Sequence, residues 1–575
     1  MDANKILLSG YENTELIDYN DPRMIENNSV CYDDLPKLEL DGVLKACFRG
    51  EDGRLRQIYT PQGNHVGVIA ATRMGKTTSF VIPTILSFAK QKRKKSMFIS
   101  DPKGEIFRLT SEELKNEGYD TLLLNLRDAL HSEHWNPLTP IYRSYHAAYD
   151  IYNEVEAVKT DTGIRNRFRG KIYESQKALD EMLYRVASIA LDDVGNDIEA
   201  LSTMMIPVEN HRDPYWENSA KLVLQSIPWG MLEDSREESR NPKWPPITEE
   251  TFSFSTIFTV FSAFKSHRND FEDLGYFTGR SKNSMAYMIA KDNFIDQADN
   301  TRKNIICIFT TKMAPFRESK VRSITSCNSF EVPSIIEKPT AVFIEYKDEL
   351  EAHYRVISLF VQDAYSRLIT IATGMPNGCL DIPFYFILDE FGNFPCIENF
   401  KTSISASAGR NVFFILIIQS FAQLDEVYGK ETAMIIRDNL NVQIMLGTNN
   451  PNTLEEFSKG CGEYTRISPL SALNGVGSEI DQYQIETIRR VPKSMLAHFE
   501  PGECVVTEAN CGYVMWSMLE RYYKCQEFCT KHKAYEGCYE SKVDSYSEKY
   551  LYDISKVEDS DDEDFGSLLK RNGGR

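Results

Sequence analysis

Apolar residues along this chain fall into two rhythms. In the first stretch, short unbroken apolar runs alternate with longer segments of helical spacing. His65–Ala71 reads as a buried strand leading into a turn at Gly75-Lys76-Thr77, and Thr77–Lys90 as a helix that Pro83 should kink. Ser96–Asp101 and Tyr119–Leu126 read as further buried strands, with a helix over Glu105–Glu117 between them. Apolar runs without polar alternation suit strands covered on both faces. Their alternation with helices implies right-handed βαβ units and a parallel sheet.

After Trp135-Asn136-Pro137 the spacing becomes helical. Leu179, Met182, Leu183, Val186 and Ile189 fall on one helix face, as do Leu222, Val223 and Ile227, and later Ile257, Phe258, Phe261 and Phe264. The proline-rich Asn241-Pro-Lys-Trp-Pro-Pro246 reads as a surface loop within this part. Strands then return at Ala341–Tyr346, Phe384–Asp389, Val412–Gln419, Val442–Thr448, Glu503–Glu508 and Tyr513–Met518. The expected fold class is α/β, a mostly parallel sheet interrupted by an inserted all-α domain. The division is an N-terminal extension at 1–45, the sheet domain at 46–145 and 336–525, the all-α insert at 146–335, and a C-terminal extension at 526–575.

Length supports several domains, since 575 residues exceed what one core usually serves. No apolar run reaches eighteen residues, and the N-terminus lacks the basic start and apolar stretch of a signal peptide. A cytoplasmic location is therefore expected. The twelve cysteines are scattered. The densest group, Cys504, Cys511, Cys525, Cys529, His532 and Cys538, contains no second close pair at ligand spacing, so ordinary thiols are expected over zinc. A net charge of −19 argues against a protein that coats nucleic acid with its whole surface. The basic run Lys90-Gln-Lys-Arg-Lys-Lys95 reads as a solvated loop between helix and strand. The acidic run from Glu558 to Asp564 reads as a disordered interaction tail.

Candidate chemistry begins at Val68-Ile-Ala-Ala-Thr-Arg-Met-Gly-Lys-Thr77. Its second half is the end of a phosphate-binding loop, G-x-x-x-x-G-K-[ST], with Ala70 in place of the first glycine. Ala71, Thr72, Arg73, Met74, Gly75, Lys76, Thr77 and Thr78 would form the cradle. Backbone N–H groups would curl around the β-phosphate at a helix N-terminus, Lys76 would reach the β- and γ-phosphates, and the Thr77 hydroxyl would hold magnesium. Position 70 only closes the turn, so one methyl is tolerable there if φ is negative. The second element is the apolar strand Phe384-Tyr-Phe-Ile-Leu388, tipped by Asp389-Glu390. A carboxylate there is the partner of such a loop: Asp389 for magnesium, and Glu390 to polarise the attacking water. Gln419 ends the neighbouring strand, where it could sense a γ-phosphate. Arg410, just before that strand, is a surface charge unless a neighbouring subunit's site uses it in trans.

Several segments together resemble one family, the type IV coupling proteins, which are TraG-like hexameric ATPases of conjugation and type IV secretion. They are Ala71–Thr78 with Phe80-Val-Ile-Pro83, Ser100-Asp-Pro-Lys-Gly-Glu105, Trp135-Asn-Pro-Leu138, Asp213-Pro-Tyr-Trp-Glu-Asn-Ser219 and Ala314-Pro-Phe-Arg317. Most specific is Leu388-Asp-Glu-Phe-Gly-Asn393, followed by Gly409-Arg410, Gln419-Ser420, Gln423-Leu424, Tyr428-Gly429 and Leu446-Gly-Thr-Asn449. They lie in order over roughly residues 60–520. The resemblance implies a RecA-like domain with an inserted helical domain, a homo-hexameric ring, and ATP with Mg as cofactors. It further implies ATP-driven delivery of relaxase-bound single-stranded DNA, or of protein substrates, to a type IV secretion channel and its ATPases. By motif, Lys76 and Thr77 carry over as phosphate and magnesium residues, Asp389 and Glu390 as the acidic pair, Arg410 as a trans-acting arginine and Gln419 as a sensor. Such proteins usually begin with membrane-spanning helices, and none is evident here: either this is a soluble branch that a membrane-anchoring partner recruits to the cytoplasmic face, or the segment was lost. The alternatives are a nucleotide-dependent docking receptor without motor activity and a related hexameric DNA translocase.

Overall fold

The computed structural model describes residues 15–21, 24–25, 28–160, 163–208, 213–267, 270–397, 399–469, 483–529, 535, 537, 539–540, 543–545 and 547–554. Ten strands share its main sheet: β1 Glu15–Asp18, β2 Val66–Ala70, β3 Ser96–Asp101, β4 Asp120–Asn125, β5 Thr340–Glu345, β6 Phe384–Leu388, β7 Val412–Ile418, β8 Val442–Gly447, β9 Glu503–Glu508 and β10 Tyr513–Met518. Their spatial order is β1-β10-β9-β8-β2-β7-β6-β3-β5-β4. From β8 to β5 every pairing is parallel. β9 runs antiparallel to both β8 and β10, and β1 joins β10 in parallel. The strands expected from the apolar runs are all present, with ends shifted by at most one residue.

Burial explains why these runs are strands. Every residue of β2, β3, β6 and β7 is buried, as parallel strands covered on both faces require. Aromatic contacts tie β6 to β7: Phe386 and Phe414 stack at 5.0 Å between ring centroids, and Tyr385 lies 5.0 Å from Phe413. The register pairs Phe384 with Val412 and Leu388 with Leu416. Because β7 sits between β2 and β6, the ends of all three emerge side by side along one edge of the sheet. Ligands of open α/β sheets bind at that carboxyl edge.

By contact, the chain divides into two units. One comprises residues 1–123, 332–348 and 364–538; the other comprises 124–331, 349–363 and 539–575. The main sheet lies in the first, apart from the last residues of β4. Ser29–Cys31, Leu44–Arg49 and Leu55–Tyr59 add a three-stranded antiparallel sheet there. The second unit is mainly helical, with long helices at Gln176–Met205 and Tyr215–Asp234. It also carries a small antiparallel sheet, Glu156–Thr160, Gly163–Phe168 and Lys171–Tyr173, which the helical spacing does not announce. The proline-rich stretch is not simply a surface loop. Trp244 is fully buried edge-on against Tyr276, and buried Asn241 donates to the Gly275 carbonyl at 2.8 Å. Among the described residues no helix is long and apolar enough to cross a membrane.

One buried titratable group anchors β2. His65, just before that strand, accepts the Phe414 N–H of β7 through Nδ1 at 3.0 Å. Burial lowers its pKa from 6.5 to about 4. The neutral ring is therefore what the fold accepts, and its contribution is complete above pH 6.5. That contribution is lost as pH falls through the folded-state pKa, by about 3 kcal/mol in all. Replacing the ring by an amide keeps an acceptor without a proton to gain. Accordingly, His65→Asn is expected to lose less unfolding free energy than wild type between pH 7 and pH 4 in denaturant titrations. Equal losses would show that this ring does not carry the acid sensitivity.

Candidate active site

The loop after β2 is built around two left-handed residues. Arg73 has φ 70° and Gly75 φ 86°, so the sharp turns come after position 70. Ala70 itself is the buried last residue of β2 and pairs with Gly447 of β8. A methyl there has no left-handed backbone to oppose, and the missing glycine costs the loop nothing. Ala71 N–H donates to the Gly447 carbonyl at 2.7 Å, and Met74 N–H to the Ala71 carbonyl at 3.2 Å. Thr72, Arg73 and Met74 are exposed along the outer curve, while Gly75, Lys76, Thr77 and Thr78 are half-buried. The following helix starts wide, as a π-helix over Lys76–Val81, and continues as an α-helix over Ile82–Lys90. Pro83 thus falls in the first turn of the α-helical part, where its missing N–H matters least. The first N–H groups of a helix have no intrahelical acceptor, which leaves those near Lys76 facing outward as anion donors.

Opposite the loop stand the carboxylates. The Lys76 amine lies 2.9 Å from Asp389 Oδ1 and also hydrogen-bonds Glu390 Oε1. Glu390 has a left-handed backbone, φ 56°, and its own N–H donates to Asp389 Oδ1 at 2.9 Å. Gln419, at the tip of β7, donates through Nε2 to Glu390 Oε2 at 3.0 Å. The structure therefore brings Lys76, Asp389, Glu390 and Gln419 into one hydrogen-bonded cluster. Burial pulls the Lys76 amine down, but the two carboxylates outweigh it and hold it above its ordinary value. Burial pushes Asp389 above the usual carboxylate range, with Lys76 pulling against it.

Three supporting residues lay inside quoted motifs without an assigned role. Ser100 Oγ donates to the Asp389 carbonyl at 3.1 Å. Gln423 Oε1 accepts the Gln419 N–H at 2.9 Å, and Thr448 Oγ1 donates to the Gln419 carbonyl at 2.9 Å. They fix the backbone from which the acid and the glutamine project. The Asp101–Glu105 motif gains a structural reading too. Asp101 accepts the Phe107 N–H at 2.8 Å, at the start of the helix Glu105–Asn116, and Gly104 takes φ 67°. That left-handed backbone favours glycine, and a Cβ on Gly104 would meet the Glu345 carboxyl group at 2.6 Å, which would have to swing away. Arg410 is not brought to this cluster. It donates to the Ala406 carbonyl at 2.8 Å and lies at the opposite end of β7 from Gln419, with a strand about 20 Å long between them.

The basic run 90–95 is answered locally. Lys92 pairs with Glu39 at 2.6 Å, Arg93 with Asp41 at 2.5 Å and Lys94 with Glu117 at 3.1 Å. Lys95 is no part of a solvated loop: it is buried, donates to the Leu40 carbonyl at 2.8 Å, and burial lowers its pKa to about 7. Of the cysteine group, buried Cys525 lies beside the Cys47 thiol. His532 and Cys538, the Cys529 side chain and the acidic tail lie outside the described residues. Among the described residues, no group of three or more His, Cys, Asp or Glu side chains is placed to hold a metal.

A parallel sheet with this loop on β2, a carboxylate pair on β6 and a glutamine on the strand between them defines a RecA-like P-loop NTPase fold. The family model for type IV secretory system conjugative DNA transfer matches residues 39–472, and the chain belongs to that family. Protein VirD4 of Agrobacterium fabrum (strain C58) is 24% identical over 407 residues, covering 70% of this chain and 50% of that protein. The conjugal transfer protein TraG of Escherichia coli is 22% identical over 481 residues, covering 81% of this chain and 65% of TraG. The chain thus spans about half to two thirds of the length of these relatives. The plasmid coupling protein TrwB in complex with ADP and Mg2+ has the same fold, with a TM-score of 0.55 at 15% identity over 89% of this chain and 94% of TrwB. TrwB with the non-hydrolysable GTP analogue GDPNP gives a TM-score of 0.54 at 15% identity over 89% of this chain and 96% of TrwB.

Gly392, in the Asp389–Asn393 motif, tests how tightly the cluster is supported. A Cβ there would come within 2.9 Å of the Gln423 Cβ and press on the amide that holds Gln419. Gly392→Ala is expected to destabilise the protein by about 1–3 kcal/mol through overpacking. Gln423→Ala in the same chain should recover part of that loss. Additive losses in a double-mutant cycle by thermal unfolding would refute the contact.

Proposed function

We propose that this chain binds ATP with magnesium at the Lys76 loop and hydrolyses it to drive DNA or protein substrates toward a type IV secretion channel. The observation that carries the reading is the cluster at the sheet edge, where one amine spans Asp389 and Glu390 while Gln419 holds the second oxygen of Glu390. Family membership and the nucleotide complexes of TrwB support it. The fit to a nucleotide rests on this chain's own geometry: left-handed Gly75 opening a helix, a cation at its first turn and a buried carboxylate facing it. Thr77 and Asp389 would hold magnesium, which supplies charge neutralisation between phosphates.

In this reading each residue has a separate task. The helix N-terminus binds the phosphates through backbone N–H groups. Lys76 leaves its carboxylate partners and turns to phosphate oxygens, which frees Glu390. Glu390 then orients the attacking water and takes up its proton, and Gln419 keeps that carboxylate aimed. Arg410, remote from the cluster of its own chain, would serve a neighbouring subunit in a hexamer. Relaxase, single-stranded DNA, channel ATPases and a membrane-anchoring partner at the cytoplasmic face complete the proposal.

ATP hydrolysis by the full chain, measured with magnesium and with or without single-stranded DNA, tests it. Stimulation by DNA is expected, with loss of at least about a hundredfold in Lys76→Ala and in Glu390→Gln, the scale of losing a charge-stabilising or acid–base group. An oligomeric preparation that binds ATP yet hydrolyses none would reduce the protein to a nucleotide-dependent receptor. Mixing Lys76→Ala with Arg410→Ala chains addresses the trans role. Partial recovery of hydrolysis is expected, because some interfaces would pair an intact loop with an intact arginine. No recovery in mixtures shown to co-assemble would remove Arg410 from the site.

A further inference from the structure

We propose that Arg521 forms the α-phosphate side of the nucleotide site, donating from the same chain to a nucleoside di- or triphosphate opposite the Lys76 cluster. This rests on the nucleotide reading above and adds a binding residue to it. The loop has two sides. Lys76 reaches toward Glu390 and Gln419, which marks the side of the terminal phosphate. The other side of Gly75 faces different atoms. A point one carbon out from the Gly75 Cα lies 3.1 Å from Ser79 Oγ, 3.5 Å from Thr78 Oγ1 and 3.8 Å from Arg521 Nε.

Two of these three atoms, Ser79 Oγ and Arg521 Nε, are buried without a hydrogen-bond partner. An orphaned guanidinium N–H is costly, because its desolvation is not repaid. Two orphans converging beside a helix N-terminus are explained by an anion between them. Phosphates nearer the nucleoside than the one Lys76 attends fall on this side of the loop. The setting of Arg521 is firm. It follows β10, and the turn Tyr522–Lys524 packs against the helix that starts at Lys76. Beyond the turn, buried Cys525 sits beside Cys47, and Phe528 packs edge-on to Tyr32 at 4.9 Å. Arg521 Nη1 donates to the Tyr523 hydroxyl at 2.8 Å, which fixes the plane of the guanidinium and leaves Nε facing the loop.

Titration calorimetry of the full chain with Mg·ADP and with inorganic phosphate tests this. A single phosphate fills only the position that Lys76 serves, whereas the two phosphates of ADP extend to the nucleoside side. Arg521→Ala is expected to weaken ADP binding about tenfold or more and to leave inorganic phosphate within about twofold, as for loss of one charge-assisted hydrogen bond. Arg521→Lys, which keeps the charge but not the planar fork, should fall between. Lys76→Ala should weaken both ligands. ADP affinity unchanged in Arg521→Ala, while Lys76→Ala loses it, overturns the assignment and leaves the nucleotide reading intact. Equal loss of ADP and inorganic phosphate in Arg521→Ala also overturns it, since the residue would then act on the loop as a whole. A wild-type chain that binds neither ligand overturns the nucleotide reading and this subsite together.

Discussion

A carboxylate buried at the tip of an apolar strand has to be answered by a cation, and much of this molecule is arranged around that demand. Asp389 is 4% exposed at the end of five wholly buried residues. Left alone, such a group would take up a proton rather than bear its desolvation. Lys76 supplies the answering charge at 2.9 Å, from a loop 313 residues earlier in the chain. An amine and two carboxylates in one small space form a store of electrostatic attraction that a phosphate and a divalent cation can exchange for their own. The ion pair is thus matched in sign and place to the ligand read into the site.

The parallel order of the sheet makes that exchange local. With β7 between β2 and β6, loop, carboxylates and glutamine come from three adjacent strand ends and need no long side chain to meet. The backbone supports are equally short. Ser100 from β3, Thr448 after β8 and Gln423 from the helix Phe421–Tyr428 each hold a main-chain group of Asp389 or Gln419. Five neighbouring strands therefore fix the cluster, and rigid strands are what preorganised hydrogen-bond donors require.

Much of this was legible in the sequence, for identifiable reasons. Strands such as Val412–Ile418 are unbroken apolar runs bounded by polar residues, so their existence and ends follow from burial alone. Lys76, Asp389, Glu390 and Gln419 were legible because each sits at a fixed offset from a strand end. Less was legible where a residue acts through its backbone neighbours: Gln423 and Thr448 have ordinary chemistry, and only three-dimensional placement shows what they hold. Lys95 misled for a similar reason, since charge in a basic run signals solvent until a carbonyl and an aromatic ring are placed beside it. The small strands at 156–173 were hidden because their residues are largely exposed and carry no apolar alternation. Arg521 had no motif at all, and what marks it is an unanswered N–H, a property no sequence displays.

Strand β7 also sets a limit on what one chain can complete. Its C-terminal end delivers Gln419 to the cluster, while its N-terminal end carries Arg410 to the far edge of the sheet. A seven-residue strand buried on both faces is stiff, so these two groups cannot approach each other by any side-chain motion. An arginine needed at the terminal phosphate would then have to come from another copy, and every copy would offer one end of β7 to its own nucleotide and the other to its neighbour's. In such a ring the strand is a rigid connector between consecutive sites.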